Sequence, residues 1–235
     1  MTGFSLIQAC CLALGIVLAL PTVACAHRPL DTSGPASRSQ PIVVPDHKIS
    51  WAAYSQLTYP GEVDYYRFTA KKGDRISGSM LIPKLDRLKN FSPAFALIGP
   101  QLHPAPEDKD YQQILDTKGD EDVLVAAYQG DKPKVMFEPF TQTRYWVKQA
   151  LNIVAPTTGT YYLAVFDPTG DTGKYVFCIG DKEVWQAQDV LAMPRIWWQT
   201  RMFVEERWST YIIVGALPLM SLAIAYKIGL RIKQH

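Results

Sequence analysis

Through the middle of the chain, apolar and polar positions alternate in short runs separated by turn-forming residues. Residues 48–57, 63–69, 75–82, 94–98, 123–128, 134–137, 145–154, 161–166 and 174–179 each carry the β-branched and aromatic content of a strand. Pro60-Gly61, Lys72-Gly73-Asp74, Gly99-Pro100, Gly130-Asp131, Thr158-Gly159 and Gly170-Asp171 punctuate them. No helical period alternates with these runs, so the pattern predicts an all-β domain, an antiparallel, jelly-roll-like β-sandwich over residues 47–183. Val63, Tyr65 (or Tyr66) and Phe68 show the imperfect alternation of a strand with one buried face.

The two ends follow other patterns. Residues 4–20 are almost wholly apolar, Pro21 breaks them, and Ala24-Cys25-Ala26 places small residues before a cleavage point, so residues 1–26 read as an export signal. No Lys or Arg precedes that run, and a retained or Cys25-lipidated terminus stays open. Residues 27–46, rich in Pro, Ser, Gly and Thr, read as a linker or N-terminal arm.

Residues 184–208 form an amphipathic helix that Pro194 is expected to divide. Trp185, Trp197, Trp198, Phe203 and Trp208 alternate there with Arg195, Arg201, Glu205, Glu206 and Arg207. The favoured reading is a collar at lipid headgroups; a docking surface and simple packing on the sandwich are the alternatives. Residues 209–230 read as one C-terminal transmembrane helix, with 231–235 as a cytoplasmic tail. Trp197, Trp198, Trp208, Tyr211 and Tyr226 would be its interfacial aromatics, and Lys227 and Arg231 its positive flank. The expected placement is a single-pass membrane protein with the sandwich on the extracytoplasmic side.

Charge and cysteine content narrow the picture. A formal net charge of +2 without a basic stripe excludes a nucleic-acid partner. Once residues 1–26 are removed only Cys178 remains, inside the apolar run 175–179, where a buried thiol is expected and an intramolecular disulfide is impossible.

Gly61-Glu62-Val63-Asp64-Tyr65-Tyr66-Arg67-Phe68-Thr69-Ala70 with Gly73-Asp74-Arg75-Ile76 resembles the opening of a bacterial pre-peptidase C-terminal-like domain. Gly159-Thr160-Tyr161-Tyr162-Leu163-Ala164-Val165 with Gly173-Lys174-Tyr175 is similar to its close. The likeness spans about residues 51–181, with a long atypical middle. It implies a β-sandwich of the accessory kind that binds matrix or substrate beside a secreted enzyme, here without the catalytic domain. The layout also resembles a group of exported bacterial proteins. They share a mature start like Ala26-His27-Arg28-Pro29, a stretch like 87–100, and a run like Glu138-Pro139-Phe140-Thr141-Gln142-Thr143-Arg144.

The sequence has no Gly-x-Ser-x-Gly elbow, His-Glu-x-x-His run, phosphate loop or dinucleotide fingerprint, which sets aside the commoner enzyme classes. Three constellations carry candidate chemistry. A mature N-terminal His27, with His47 or His103, could chelate copper through imidazole and α-amine; an incidental His on the arm explains it equally. Asp167 and Asp171, in an acidic turn, could hold calcium, or serve only as Asx-turn residues. Glu138, Phe140, Arg144 and Trp146 mix charge and aromatics as recognition surfaces do, although Arg144 could pair with Glu138 while Trp146 fills the core.

The expectation is a membrane-anchored extracytoplasmic binding module, or an accessory subunit of a membrane complex, with a membrane, extracytoplasmic-protein or glycan partner. A copper- or metal-handling protein built on His27 is the alternative, and an unrecognised hydrolase the third. Copper and calcium are the cofactors in view.

Overall fold

The computed structural model describes residues 27–104, 111–130, 132–184 and 186–233. The export signal expected at 1–26, together with Trp185, falls outside them. The chain divides into two units, one of which is Ala26–Val204 and holds every strand.

Strands form where the sequence alternates. They are β1 (Arg28–Pro29), β2 (Ile42–Val43), β3 (Trp51–Leu57), β4 (Val63–Ala70), β5 (Arg75–Pro83), β6 (Ala94–Gly99), β7 (Asp122–Ala126), β8 (Lys134–Glu138), β9 (Thr143–Val154), β10 (Gly159–Phe166) and β11 (Gly173–Ile179). A six-stranded sheet runs β1-β3-β11-β5-β9-β8 and a five-stranded sheet β2-β4-β10-β6-β7. The sandwich expectation holds in its layers. Its wholly antiparallel form does not, because the arm adds β1 parallel to β3 and β2 parallel to β4. Residues 27–46 are therefore no free linker. They run from the edge of one sheet to the edge of the other and bury Leu30, Ile42 and Val44.

The period of two sets each strand's inner face. Asp64, Tyr66, Phe68 and Ala70 of β4 point inward beside Tyr161, Leu163 and Val165 of β10 in the same sheet, facing Tyr175, Phe177 and Ile179 of β11 in the other. Phe95 and Phe177 meet at 4.9 Å in the centre. In β9 the register slips where Leu81 pairs Val147 but Ser79 pairs Ala150. That bulge lets Trp146 and Leu151, an odd number of residues apart, both pack on the main core.

Both sheets also bury their outer faces. Tyr65, Ala96, Ile98 and Phe166 are covered by Tyr111 and Leu115 of the connection between β6 and β7. Ala52, Leu81, Tyr145, Val176 and Cys178 lie beneath Phe203 and Val204 at the end of helix α1 (Ala187–Phe203). Cys178 is a buried free thiol, as expected.

Helix α1 begins with a capping box, in which the Gln186 side chain takes the Asp189 backbone N–H and the Asp189 side chain takes that of Gln186. It continues through Pro194 instead of dividing there. At the end of α1, Thr200, Arg201 and Val204 are buried against the sandwich, as the packing alternative has it, while Val190, Leu191 and Trp198 stay exposed.

The second unit contains helix α2 (Arg207–Lys233). Among the described residues, no helix is long and apolar enough to cross a membrane. This overturns the transmembrane helix at 209–230 and the single-pass placement built on it. The apolar stretch from Tyr211 to Tyr226 rises only about 24 Å at 1.5 Å per residue, against a hydrocarbon core of about 30 Å. Gly215, Pro218 and Ser221 dilute it further. Trp208, Tyr211, Tyr226 and Lys227 are exposed on α2, with Trp208 and Tyr211 in edge contact at 6.4 Å. The Arg231 side chain and residues 234–235 lie outside what the structure describes.

Candidate functional site

A groove of about 820 Å³ opens between the arm, β3 and α1. Its size falls in the range of sites that hold small ligands or peptide segments. Arg28 to Ser33 form one wall, Trp51 and Tyr54 the floor, and Ala192, Arg195, Trp198, Gln199 and Phe203 the far wall. Pairing of β1 with β3 fixes the arm wall: the backbone N–H groups of Arg28 and Leu30 donate to the Ser50 and Ala52 carbonyls, both at 2.9 Å. Arg28 then lies over the Trp51 ring, 5.0 Å from its centroid, and donates to Asp189 of α1 at 3.1 Å. One guanidinium thus joins arm, sheet and helix.

The helical wall is held by a buried chain of hydroxyls. The Tyr54 hydroxyl hydrogen-bonds with Thr200 of α1 and with Tyr145, and burial pushes its pKa up to about 12. Thr143 donates to the Tyr145 hydroxyl at 3.0 Å and shares a 2.7 Å bond with Thr141, which donates to the Glu138 carboxylate. Burial also raises the Tyr145 pKa. Both phenols therefore stay protonated at neutral pH and act as fixed hydrogen-bonding groups. Tyr54 and Phe203 add an edge contact at 5.4 Å, and Lys174 Nζ donates to the Phe203 carbonyl at 2.9 Å, favourably placed at a helix C-terminus.

The residues singled out in the sequence disperse over this framework. His27 bonds Ser50 Oγ through Nδ1, and its pKa is lowered, chiefly by burial. His47 is buried against Phe68, and His103 is exposed in the connection after β6. Among the described residues, no three His, Cys, Asp or Glu side chains are grouped to hold a metal ion.

Asp167 Oδ1 accepts the Thr169 and Asp171 backbone N–H groups and the Thr169 hydroxyl at 2.6–3.0 Å, an Asx-turn arrangement; Asp171 is exposed. The recognition set separates too. Glu138 folds onto the Phe140 and Thr141 backbone, Trp146 packs in the core, and Arg144 lies over Phe137 at 5.8 Å instead of pairing with Glu138. Of the expected interfacial aromatics, Trp198 lines the groove, and Trp197 takes the Arg201 guanidinium over its ring at 4.9 Å.

Arg28, Trp51 and Tyr54 were not singled out as site residues in the sequence, and Arg195 only as part of the aromatic-rich helix. They meet only through a parallel edge pairing and the docking of a helix more than a hundred residues away. The period of two in β3 does place Tyr54 on the outer face, and the aromatic-rich helix was the sequence's only pointer to what covers it.

No family model and no curated protein matches the chain. Among solved structures, the chain is similar to PliG of Salmonella Typhimurium, a periplasmic lysozyme inhibitor of g-type lysozyme: 16% identity, 60% of this chain and 96% of that one, TM-score 0.35. A mutant of the Escherichia coli PliG gives 16% identity over 67% and 100%, with a TM-score of 0.31. CorA, a surface-associated copper-binding protein of Methylomicrobium album BG8, gives 9% identity over 67% and 98%, with a TM-score of 0.28. Likeness at this level assigns this chain neither a family nor a ligand.

Proposed function

We propose that the chain is an exported binding module that holds an extended segment of a protein partner in the groove between arm and α1. The observation that carries this reading is the wall chemistry: Trp51, Tyr54 and Trp198 offer flat, rigid contact area, and Arg28 and Arg195 stand beside them. Aromatics and arginine are the residues that dominate binding energy at protein interfaces. The wall is preorganised by Arg28–Asp189 and by the hydroxyl chain under α1, so little ordering cost falls on binding. The apolar run 4–20, followed by the small residues Ala24-Cys25-Ala26, supports export. Binding is favoured over catalysis because the strongly shifted phenols, Tyr66, Tyr145 and Tyr175, serve buried structural networks.

Affinity isolation with the full chain and with a Trp198→Ala, Arg195→Glu variant tests this reading. A stoichiometric protein partner should be retained by the native chain and lost by the variant, with thermal unfolding unchanged. Equal retention by both, or no partner for either, removes the groove as the binding surface.

A further inference from the structure

Away from the groove, a buried imidazole nitrogen without a partner faces a carboxylate oxygen. His47, following β2, is only 4% exposed, and its ring stacks on Phe68 at 5.0 Å with an interplanar angle of 26°. Its Nε2 is buried and has no hydrogen-bond partner. The ring hydrogen-bonds the Thr69 backbone, and the tautomer protonated at Nδ1 would leave the Nε2 lone pair free. An imidazole with its other nitrogen engaged by the backbone is the form in which histidine binds metals. Asp74, on the turn between β4 and β5, places Oδ2 3.9 Å from Nε2.

A gap of 3.9 Å is too long for a hydrogen bond. Ions that bond imidazole nitrogen and carboxylate oxygen at about 2.0–2.2 Å each span such a gap.

We propose that the His47 Nε2 and Asp74 Oδ2 atoms form a binding site for a divalent ion of the zinc and copper class, independent of the groove. Lys48 Nζ holds Asp74 Oδ1 at 2.8 Å, and the Lys71 N–H meets Oδ2 at 2.9 Å. These contacts orient the carboxylate and leave Oδ2 a lone pair for the ion. The adjoining recess, about 550 Å³ and lined by Thr69, Thr158 and Thr160, gives water room to complete the coordination. With two protein ligands, the site is weaker than a four-ligand structural centre. His27 and His103 take no part.

Isothermal titration of the full chain with Zn²⁺ tests this, alongside Cu²⁺ electron paramagnetic resonance. The expected result is one equivalent of Zn²⁺, weakened about tenfold or more by His47→Gln or Asp74→Asn and unchanged by His27→Ala or His103→Gln. Bound Cu²⁺ should show a single imidazole nitrogen. Asp74→Asn keeps an acceptor on an exposed turn, so it remains decisive if His47→Gln does not fold. No saturable uptake, native affinity in Asp74→Asn, or loss of the site in His27→Ala overturns the proposal.

Discussion

Arg201 of α1 donates through Nη1 to the carbonyl of Thr141 at 2.6 Å, and both residues are buried where the helix meets the sandwich. A guanidinium so deeply enclosed is tolerated only when its donors are met and its stem packs. The charge-assisted bond at the turn before β9 therefore fixes where α1 rests on the sheet. Arg201→Ala is expected to cost about 2–3 kcal/mol of stability, the scale of a lost hydrogen bond to a charged group. Chemical denaturation measures it. A loss below about 0.5 kcal/mol would show that α1 is held elsewhere.

Arg38 makes the corresponding clamp on the other sheet. Its guanidinium meets both Glu121 carboxylate oxygens at 2.5 and 2.7 Å and lies 3.4 Å from the centroid of Tyr162. Arg38→Ala leaves a largely buried Glu121 without its cation, so a loss of about 3–5 kcal/mol is expected. Arg38→Ala combined with Glu121→Ala should recover part of that loss. A double variant no better than the single one would contradict the pairing.

The parts legible in the sequence are those with local causes. Alternating runs placed the strands from β3 to β11, because inward residues such as Tyr66 and Phe68 are two apart and Gly-Asp turns end the runs. The arm was misread because Pro and Ser content describes a chain's stiffness, while its two short parallel pairings are long-range events. The membrane reading gave weight to an uncharged run of modest length and to aromatics that, in α1, pack against Arg201 or line the groove. The groove itself joins Arg28 to Asp189, and no local period can encode such a contact.

Gly180 ends β11 with φ of 76°, a conformation that penalises any Cβ, and a Cβ there would lie 2.6 Å from the His47 carbonyl oxygen. The clash is with backbone and cannot be relieved by turning a side chain. Gly180→Ala is expected to lose about 2–4 kcal/mol, combining left-handed strain with displacement of the segment before β3. Hydrogen exchange should localise the loosening to residues 46–51. Native protection there would mean that the backbone accommodates the methyl group.

Asp64 is the inward-facing carboxylate of β4. It accepts Ser55 Oγ at 3.0 Å and the Tyr175 hydroxyl, which in turn meets the Tyr66 hydroxyl at 2.9 Å. These bonds tie the two sheets together through a polar knot in an apolar interior. Burial raises the Asp64 pKa above its usual 3.8, against the opposing pull of the Tyr175 and Ser55 hydrogen bonds. The folded state therefore holds a proton that the unfolded chain has begun to release. This contribution to stability is fully present below about pH 3.8 and is lost as pH rises through the higher folded-state value. Asp64→Asn keeps an oxygen for the two hydroxyl donors and cannot ionise. Its stability relative to the native chain should rise with pH across that window and level off above it, as measured by urea unfolding at a series of pH values. Parallel curves would mean that Asp64 ionises alike in both states, and that the knot, not the desolvated charge, sets its energetics.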